Sequence, residues 1–446
     1  MRKREKNHKG SILFILGILV LLILGLGTVY FLGDNYNESG KTPSNNQTSP
    51  NKPVDSSSAS ESSLPSKENL QTEVSPSTEN LNDNIDSIKR QITEMSIEEK
   101  VGQLVIVGVD GYENNDNSKQ LIEKYHVGGF ILFKKNIQDY HQTLALLNSL
   151  KEANSINRNP LFLSVDEEGG RVSRMPDEFL KFPTNKEIGE LSNSDLSYKV
   201  GSIIGEELKS FGFNMDFAPV LDINSNPKNP IIGDRSFGTD ASIVTKLGIQ
   251  TMKGLQDQNI ISVVKHFPGH GDTAVDSHKG LPRVNNDLAR LRNFELIPFS
   301  AAIENKVDVI MVAHILLPNI DAQYPASFSK TIISDILRTD MNFDGVVITD
   351  DFTMGAIVKN YDIGEAAVKS IKAGSDIVLV CHDFDKEEAV LKALLKAVQT
   401  GTISLDRLDQ SVNRILKLKQ KYMLSDNSVN WVEPQIINEK IKVLFN

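Results

Sequence analysis

A TIM-type (β/α)8 barrel of the α/β class is the fold this sequence predicts, set behind an N-terminal transmembrane helix and a disordered linker. Three observations predict it. Short apolar runs of strand length recur through the chain, each followed by a longer stretch with helical spacing, the alternation of parallel strands with their crossovers. The runs number eight, the count that closes a barrel. No Gly-x-Gly-x-x-Gly follows the first run, which counts against the rival, a doubly wound open sheet.

Taken in order, residues 1–10 carry Arg2, Lys3, Arg4, Lys6 and Lys9, and residues 11–33 carry no charge. The apolar stretch Ile12 to Leu32 is long enough to cross a hydrocarbon core of about 30 Å as a helix. By the positive-inside rule the basic start stays in the cytoplasm and the rest of the chain lies outside. An uncleaved, single-pass anchor in the cell membrane is the favoured reading. The alternative is secretion after cleavage of a signal peptide, whose apolar core runs only about 7 to 15 residues. Cys381 is the only cysteine, so no lipoprotein anchor is expected near the start. Residues 34–84 are rich in Ser, Asn, Pro, Thr, Lys and Glu and nearly free of large apolar side chains, a composition that cannot offset the entropy of ordering. They read as a tether that holds the folded part some tens of Å from the membrane.

The barrel is expected over residues 85–426. Ser96 and Glu99 form a capping box at the head of its first helix. The strands are Leu104 to Val109, Gly129 to Phe133, Leu161 to Val165, Met215 to Ala218, Ile261 to Val264, Val309 to Val312, Val346 to Thr349 and Ile377 to Val380. Helical spacing is clear at Tyr140 to Ala153, Ile243 to Gln256, Phe294 to Ile303 and Lys386 to Val398, and again at Leu405 to Lys419. Residues 427–446, with the only tryptophan, Trp431, are expected to be a tail too short for a second domain.

The chain has 446 residues, 39% hydrophobic and 24% charged, the balance of a folded protein able to bury a large core. Its 48 Lys and Arg against 58 Asp and Glu give a net charge of -10, so nucleic acid is not expected as a partner, since phosphate contacts need a basic face. One cysteine excludes an internal disulfide framework. A monomer is expected.

In barrels the chemistry lies at the carboxyl ends of the strands. Past the third run stand Asp166, Glu167, Glu168, Arg171 and Arg174; past the fourth, Asp222 and Arg235; past the fifth, Lys265, His266, His270, Asp276 and His278; past the sixth, His314; past the seventh, Asp350 and Asp351. Singly each has a plain reading: Asp276 and Glu167 as solvated loop charges, Arg171 as a packing residue, His314 as a satisfied core histidine. Jointly, at one end of several strands, they ask for one polar cavity. A retaining glycosidase needs a nucleophilic carboxylate and a proton donor to the leaving oxygen. Asp350 is placed for the first. His278 can supply the proton, with Asp276 two residues away to hold the ring. A metal-dependent hydrolase built on the histidine cluster is a second reading, weakened because the first strand ends Val107-Gly108-Val109-Asp110 without a His-x-His pair. A wall-binding protein with a dead barrel is a third, against which the intact acid, nucleophile and cation set argues.

Lys265-His266-Phe267-Pro268-Gly269-His270-Gly271-Asp272-Thr273, followed by Asp276-Ser277-His278, closely resembles the signature of glycoside hydrolase family 3 in its β-N-acetylglucosaminidase branch. The resemblance runs from Met95 to Leu424 and takes in Val165 to Val172, Arg235 to Gly238 and Val347 to Asp351. It implies that Asp350 is the nucleophile, His278 the acid/base and Asp276 its dyad partner. It implies further that Asp166, Arg174, Arg235, Lys265 and His266 hold the sugar, with no metal and no cofactor. The implied activity is removal of terminal, non-reducing N-acetylglucosamine from a β-linked amino-sugar oligosaccharide or muropeptide by double displacement, in the single-domain form of the family. Hydrolysis and phosphorolysis both stay open, because a histidine acid/base repels an anionic acceptor less than a glutamate would.

Overall fold

The computed structural model describes residues 87–431 and 433–445. The basic segment, the apolar run 11–33 and the tether lie outside the described residues. No helix among the described residues is long and apolar enough to cross a membrane.

Eight parallel strands close on one another in sequence order, and the ring is sealed where the first pairs with the last, Val105 opposite Val378 and Val107 opposite Val380. They are β1 (Val105–Gly108), β2 (Gly129–Leu132), β3 (Phe162–Val165), β4 (Met215–Asp216), β5 (Ile261–Phe267), β6 (Val309–Val312), β7 (Val346–Asp351) and β8 (Ile377–Val380). Almost every strand residue is buried. That is why the sequence shows continuous apolar runs and not alternation: a strand of such a barrel packs against side chains inside and helices outside.

The helices are α1 (Ile97–Gln103), α2 (Asp116–Glu123), α3 (Tyr140–Ala153), α4 (Asn185–Leu191), α5 (Ser194–Phe211), α6 (Ala241–Asp257), α7 (Leu288–Asn293), α8 (Ile297–Glu304), α9 (Gly355–Val358), α10 (Ile363–Ala373), α11 (Phe384–Gln399), α12 (Leu405–Lys421) and α13 (Pro434–Phe445). Between β6 and β7 the crossover is a π-helical stretch, Thr331–Asp340. The capping box is present, with the Glu99 amide 3.1 Å from Ser96 Oγ and the Ser96 amide 2.7 Å from Glu99 Oε2. At the other end of helices, Gly212 and Gly374 close α5 and α10 with φ of 96° and 118°, a left-handed turn that a side chain would strain.

Two departures from the expected strands bear on function. β5 runs on to Phe267 and β7 to Asp351, past the ends of their apolar runs. In each, one extra residue is inserted against its neighbour: Val264 and Phe267 face Ile310 and Val312, and Ile348 and Asp351 face Ile377 and Leu379. Such bulges re-aim side chains at barrel rims. The inserted stretches are Lys265-His266 and Thr349-Asp350.

Candidate active site

The carboxyl ends of the strands surround one cavity of about 390 Å3, and Asp166, Arg174, Arg235, Lys265, His266, His278 and Asp350 all line it. Of the residues singled out in the sequence, Glu167, Asp222, Asp276 and His314 stand behind the cavity wall, Asp276 on His278. Its apolar floor includes Ile131, Phe217, Met311 and Leu379.

One side is a charged lattice. Lys265, on the β5 bulge and 2% exposed, donates from Nζ to Asp166 Oδ1 at 2.6 Å and lies 2.8 Å from Glu168 Oε1. Glu168 in turn takes a two-pronged bond from Arg235, Nε to Oε2 at 2.8 Å and Nη2 to Oε1 at 2.6 Å. Arg174 Nη2 stands 3.7 Å from Asp166 Oδ2. Burial would raise the Glu168 carboxyl, but Arg235 and Lys265 outweigh it and hold the group ionised. Burial opposes the Lys265 ammonium in the same way, and Asp166 and Glu168 reverse that. Fixed charges of both signs facing a cavity form a preorganised set of donors and acceptors for a polar, hydroxyl-rich ligand. Glu168 is the keystone that the sequence reading left unassigned.

Behind His266 lies Asp222, buried, with Oδ2 2.6 Å from His266 Nδ1 and Oδ1 2.6 Å from the His270 amide. On its other side His266 Nε2 lies 3.4 Å from Arg235 Nη2. His270 is buried, and burial first, then the His266 charge, lowers its pKa to about 4, so it serves as a neutral bridge between Thr273 Oγ1 (2.7 Å) and Ser277 Oγ (3.2 Å). His314 is a satisfied core histidine: Nε2–H donates to the Asp351 carbonyl at 3.0 Å and Nδ1 accepts from Ser327 Oγ at 2.7 Å. Glu167 is not a solvated charge; it is buried, accepts from the Arg174 amide at 2.8 Å, and is pushed by burial to about 7. Arg171 is engaged in an ion pair with Asp234 and in bonds to the Ile231 and Ile232 carbonyls.

Asp350 sits on the β7 bulge, half-buried at the cavity. Burial would raise its carboxyl; His314, His266 and the Asp351 amide together hold it below the usual carboxylate range. Oδ1 accepts from that amide at 2.8 Å, and among the described residues no hydrogen bond reaches Oδ2. Asp351 differs: Oδ1 accepts from the Thr353 and Cys381 amides at 2.8 and 3.0 Å, and Oδ2 from Thr353 Oγ1 at 2.5 Å. Across the cavity His278 is 64% exposed, with Nδ1 3.0 Å and its own amide 2.8 Å from Asp276 Oδ1. That pairing leaves Nε2 for proton transfer. Although burial works against it, the Asp276 carboxylate is held low by the His278 amide and ring. An ionised carboxylate with a free oxygen, and an imidazole steadied by a second carboxylate, are groups chemically able to act as nucleophile and as acid/base, and they face one cavity. Among the described residues no three His, Cys, Asp or Glu side chains converge as a metal site.

The family model described as the N-terminal domain of glycosyl hydrolase family 3 matches residues 96–418. The chain is 37% identical over 334 residues to beta-hexosaminidase A of Pseudoalteromonas piscicida, covering 70% of this chain and 56% of that protein, so it spans little more than half of that relative. It is 33% identical over 333 residues to a beta-hexosaminidase of Idiomarina loihiensis, covering 74% and 95%. Among solved structures, a glycoside hydrolase family 3 beta-N-acetylglucosaminidase from Paenibacillus sp. superposes with a TM-score of 0.75 at 41% identity, covering 78% of this chain and 68% of that one. A zinc-bound CbsA from Thermotoga neapolitana superposes at 0.68 and 29% identity, covering 76% and 70%. With the motifs in order, the closed barrel and the match over residues 96–418, the chain belongs to glycosyl hydrolase family 3.

Proposed function

We propose that this chain is a retaining β-N-acetylglucosaminidase that removes terminal, non-reducing N-acetylglucosamine from β-linked amino sugars. The observation that carries the reading is the free oxygen of an ionised Asp350 in the same cavity as the His278–Asp276 dyad. The names of the beta-hexosaminidase and beta-N-acetylglucosaminidase relatives support the choice of sugar. In the first step Asp350 Oδ2 bonds to the anomeric carbon as the glycosidic C–O bond breaks, and His278 Nε2 gives its proton to the leaving oxygen. In the second, the neutral imidazole takes a proton from water, whose oxygen displaces Asp350 from the same carbon. Asp350 and protonated His278 are restored, and the anomeric configuration is retained. Lys265, Asp166, Arg174, Arg235 and His266 hold the sugar, with Glu168 and Asp222 fixing them.

The apolar run 11–33 after five basic residues supports a single-pass membrane anchor with the barrel outside the cytoplasm. That location supports cell-wall fragments, muropeptides among them, as the substrate. The test is product analysis with a chromogenic β-N-acetylglucosaminide, with and without phosphate, beside the matching β-glucoside. Free N-acetylglucosamine of β configuration, independent of phosphate, is the expected product. A sugar phosphate would replace hydrolysis with phosphorolysis, and an α product would overturn the double displacement.

A further inference from the structure

The proton donor sits on a long loop, residues 268–287 between β5 and α7, that has no regular structure of its own. Its imidazole is mostly exposed, so packing does little to fix it. Asp276 steadies the ring from within the same loop, so both depend on how the backbone beneath them is held. At the base, His270 bonds to Ser277 Oγ. At the tip, three successive carbonyls reach a single segment: Ser277 O accepts from the Ala356 amide at 3.0 Å, His278 O from the Gly355 amide at 3.2 Å, and Lys279 O from Lys359 Nζ at 2.7 Å.

We propose that Gly355 to Lys359, just beyond the strand that carries Asp350, is the seat of the His278 loop, with Gly355 a positioning residue for the proton donor. The inference rests on the reading of His278 as acid/base given above. A Cβ built on Gly355 would stand 2.5 Å from the His278 carbonyl oxygen and 3.2 Å from the Lys279 carbonyl carbon. Both are backbone atoms, so no side-chain rotation relieves the contact and the loop itself has to shift. The φ of Gly355 lies outside the left-handed region, so close approach is the only demand for glycine there. The helix itself would favour alanine, because glycine in a helix loses more entropy on folding. The seat also ties two halves of the chemistry together. Nucleophile and acid must flank one glycosidic bond at a set spacing, and the chain from Asp350 to Gly355 is the short tether that sets it.

The test pairs Gly355→Ala with Lys359→Met, the second at an exposed position with no core role. With a β-linked amino-sugar disaccharide, Gly355→Ala is expected to lose about 10²-fold in kcat/KM, the lower end of what general acid help supplies. With a 2,4-dinitrophenyl glycoside, whose leaving group needs no proton, the first step is expected to lose less than about 5-fold. Lys359→Met should lose about 3- to 10-fold on the disaccharide, one hydrogen bond's worth, with Lys359→Arg restoring it. Amide exchange over residues 274–280 is followed in the same variants and is expected to quicken in Gly355→Ala. Equal losses on both leaving groups, or unchanged exchange in both variants, would overturn the seat. A wild-type chain inactive on both glycosides would overturn the functional reading, and exchange alone would then decide the seat.

Discussion

Asp350 and Asp351 are the same side chain one residue apart, and the fold gives them unlike tasks. Asp351 accepts from two amides and a hydroxyl and pins the turn after β7 to Cys381 on β8's side. Asp350 keeps an oxygen free. A slow fluoro-sugar substrate should therefore label a peptide at Asp350, and Asp351→Asn should lose stability more than it loses the label; mass spectrometry of the digest reads the site, and an adduct on Asp351 would reverse the assignment. His278→Ala should lose about 10²- to 10⁴-fold on a disaccharide and far less in the first step with an activated aryl substrate. Since the same ring must then activate water, a phenolate burst followed by a slow steady rate is expected. No burst and equal losses on both leaving groups would put the acid elsewhere. Asp166, Lys265, His278 and Asp350 were legible because polar side chains at strand ends are conspicuous against apolar runs. Glu168 and Asp222 stood out at the strand ends too but received no role, because what makes them important is a through-space bond, Glu168 to Arg235 and Lys265, Asp222 to His266, that no local pattern records.

Strand positions followed from the sequence for a physical reason: residues buried on both faces must be apolar, and apolar runs are visible. Strand ends did not follow where the bulges lie, since Lys265, His266 and Asp350 stay within the strands while reading as the start of a loop. The helix expected at Phe294 to Ile303 is α8, while α7, just before it at Leu288–Asn293, was not expected, and α13 buries little beyond Ile437 and Ile441, too sparse a stripe to mark it in advance. Junctions between elements also carry buried charge. Glu387 in α11 accepts from the Gly108 amide at the end of β1 at 3.0 Å, and burial pushes its pKa to about 8, the Gly108 bond and Lys135 opposing, Asp110 and Asp383 adding to it. The folded chain then holds this proton where the unfolded chain, with an ordinary glutamate value of 4.5, has lost it. Stability therefore falls as pH rises from the unfolded value toward 8, by up to about 1.4 kcal/mol for each unit between them. Glu387→Gln keeps the amide's acceptor and removes the proton. Urea unfolding should find it more stable than the parent at pH 8 and equal near pH 4; parallel curves for the two chains across that range would refute the account.

At the scale of the whole molecule the question is what the barrel needs besides itself. If the histidines serve proton transfer and sugar binding, prolonged dialysis against a chelator should leave the rate unchanged, while activity restored only by zinc would favour the metal-dependent reading. The N-terminal boundary can be set more finely than by composition. Residues 87–94 are helical, and Ile88, Ile92 and Met95 are buried at 5%, 7% and 8% exposure against the main core. Gln91 Nε2 reaches Asn159 Oδ1 at 2.5 Å, and Arg158 pairs with Glu94 at 2.5 Å, so this stretch is tied to the loop before β3. Burying three such side chains is worth roughly 5 kcal/mol or more at about 1.5–3 kcal/mol each, against a total stability of about 5–15 kcal/mol for a domain. A chain starting at residue 85 is therefore expected to be soluble, folded and as active as the whole, because a low-hydrophobicity tether adds no core. One starting at residue 96 should unfold at markedly lower urea or lose its fold, although it begins where the family match begins. The full-length chain, in contrast, should sediment with membranes and have its barrel digested by protease added outside. Equal stability of the two truncated chains would mean that the helical stretch at 87–94 belongs to the tether and not to the domain, and full-length protein in the cytosol would remove the anchor.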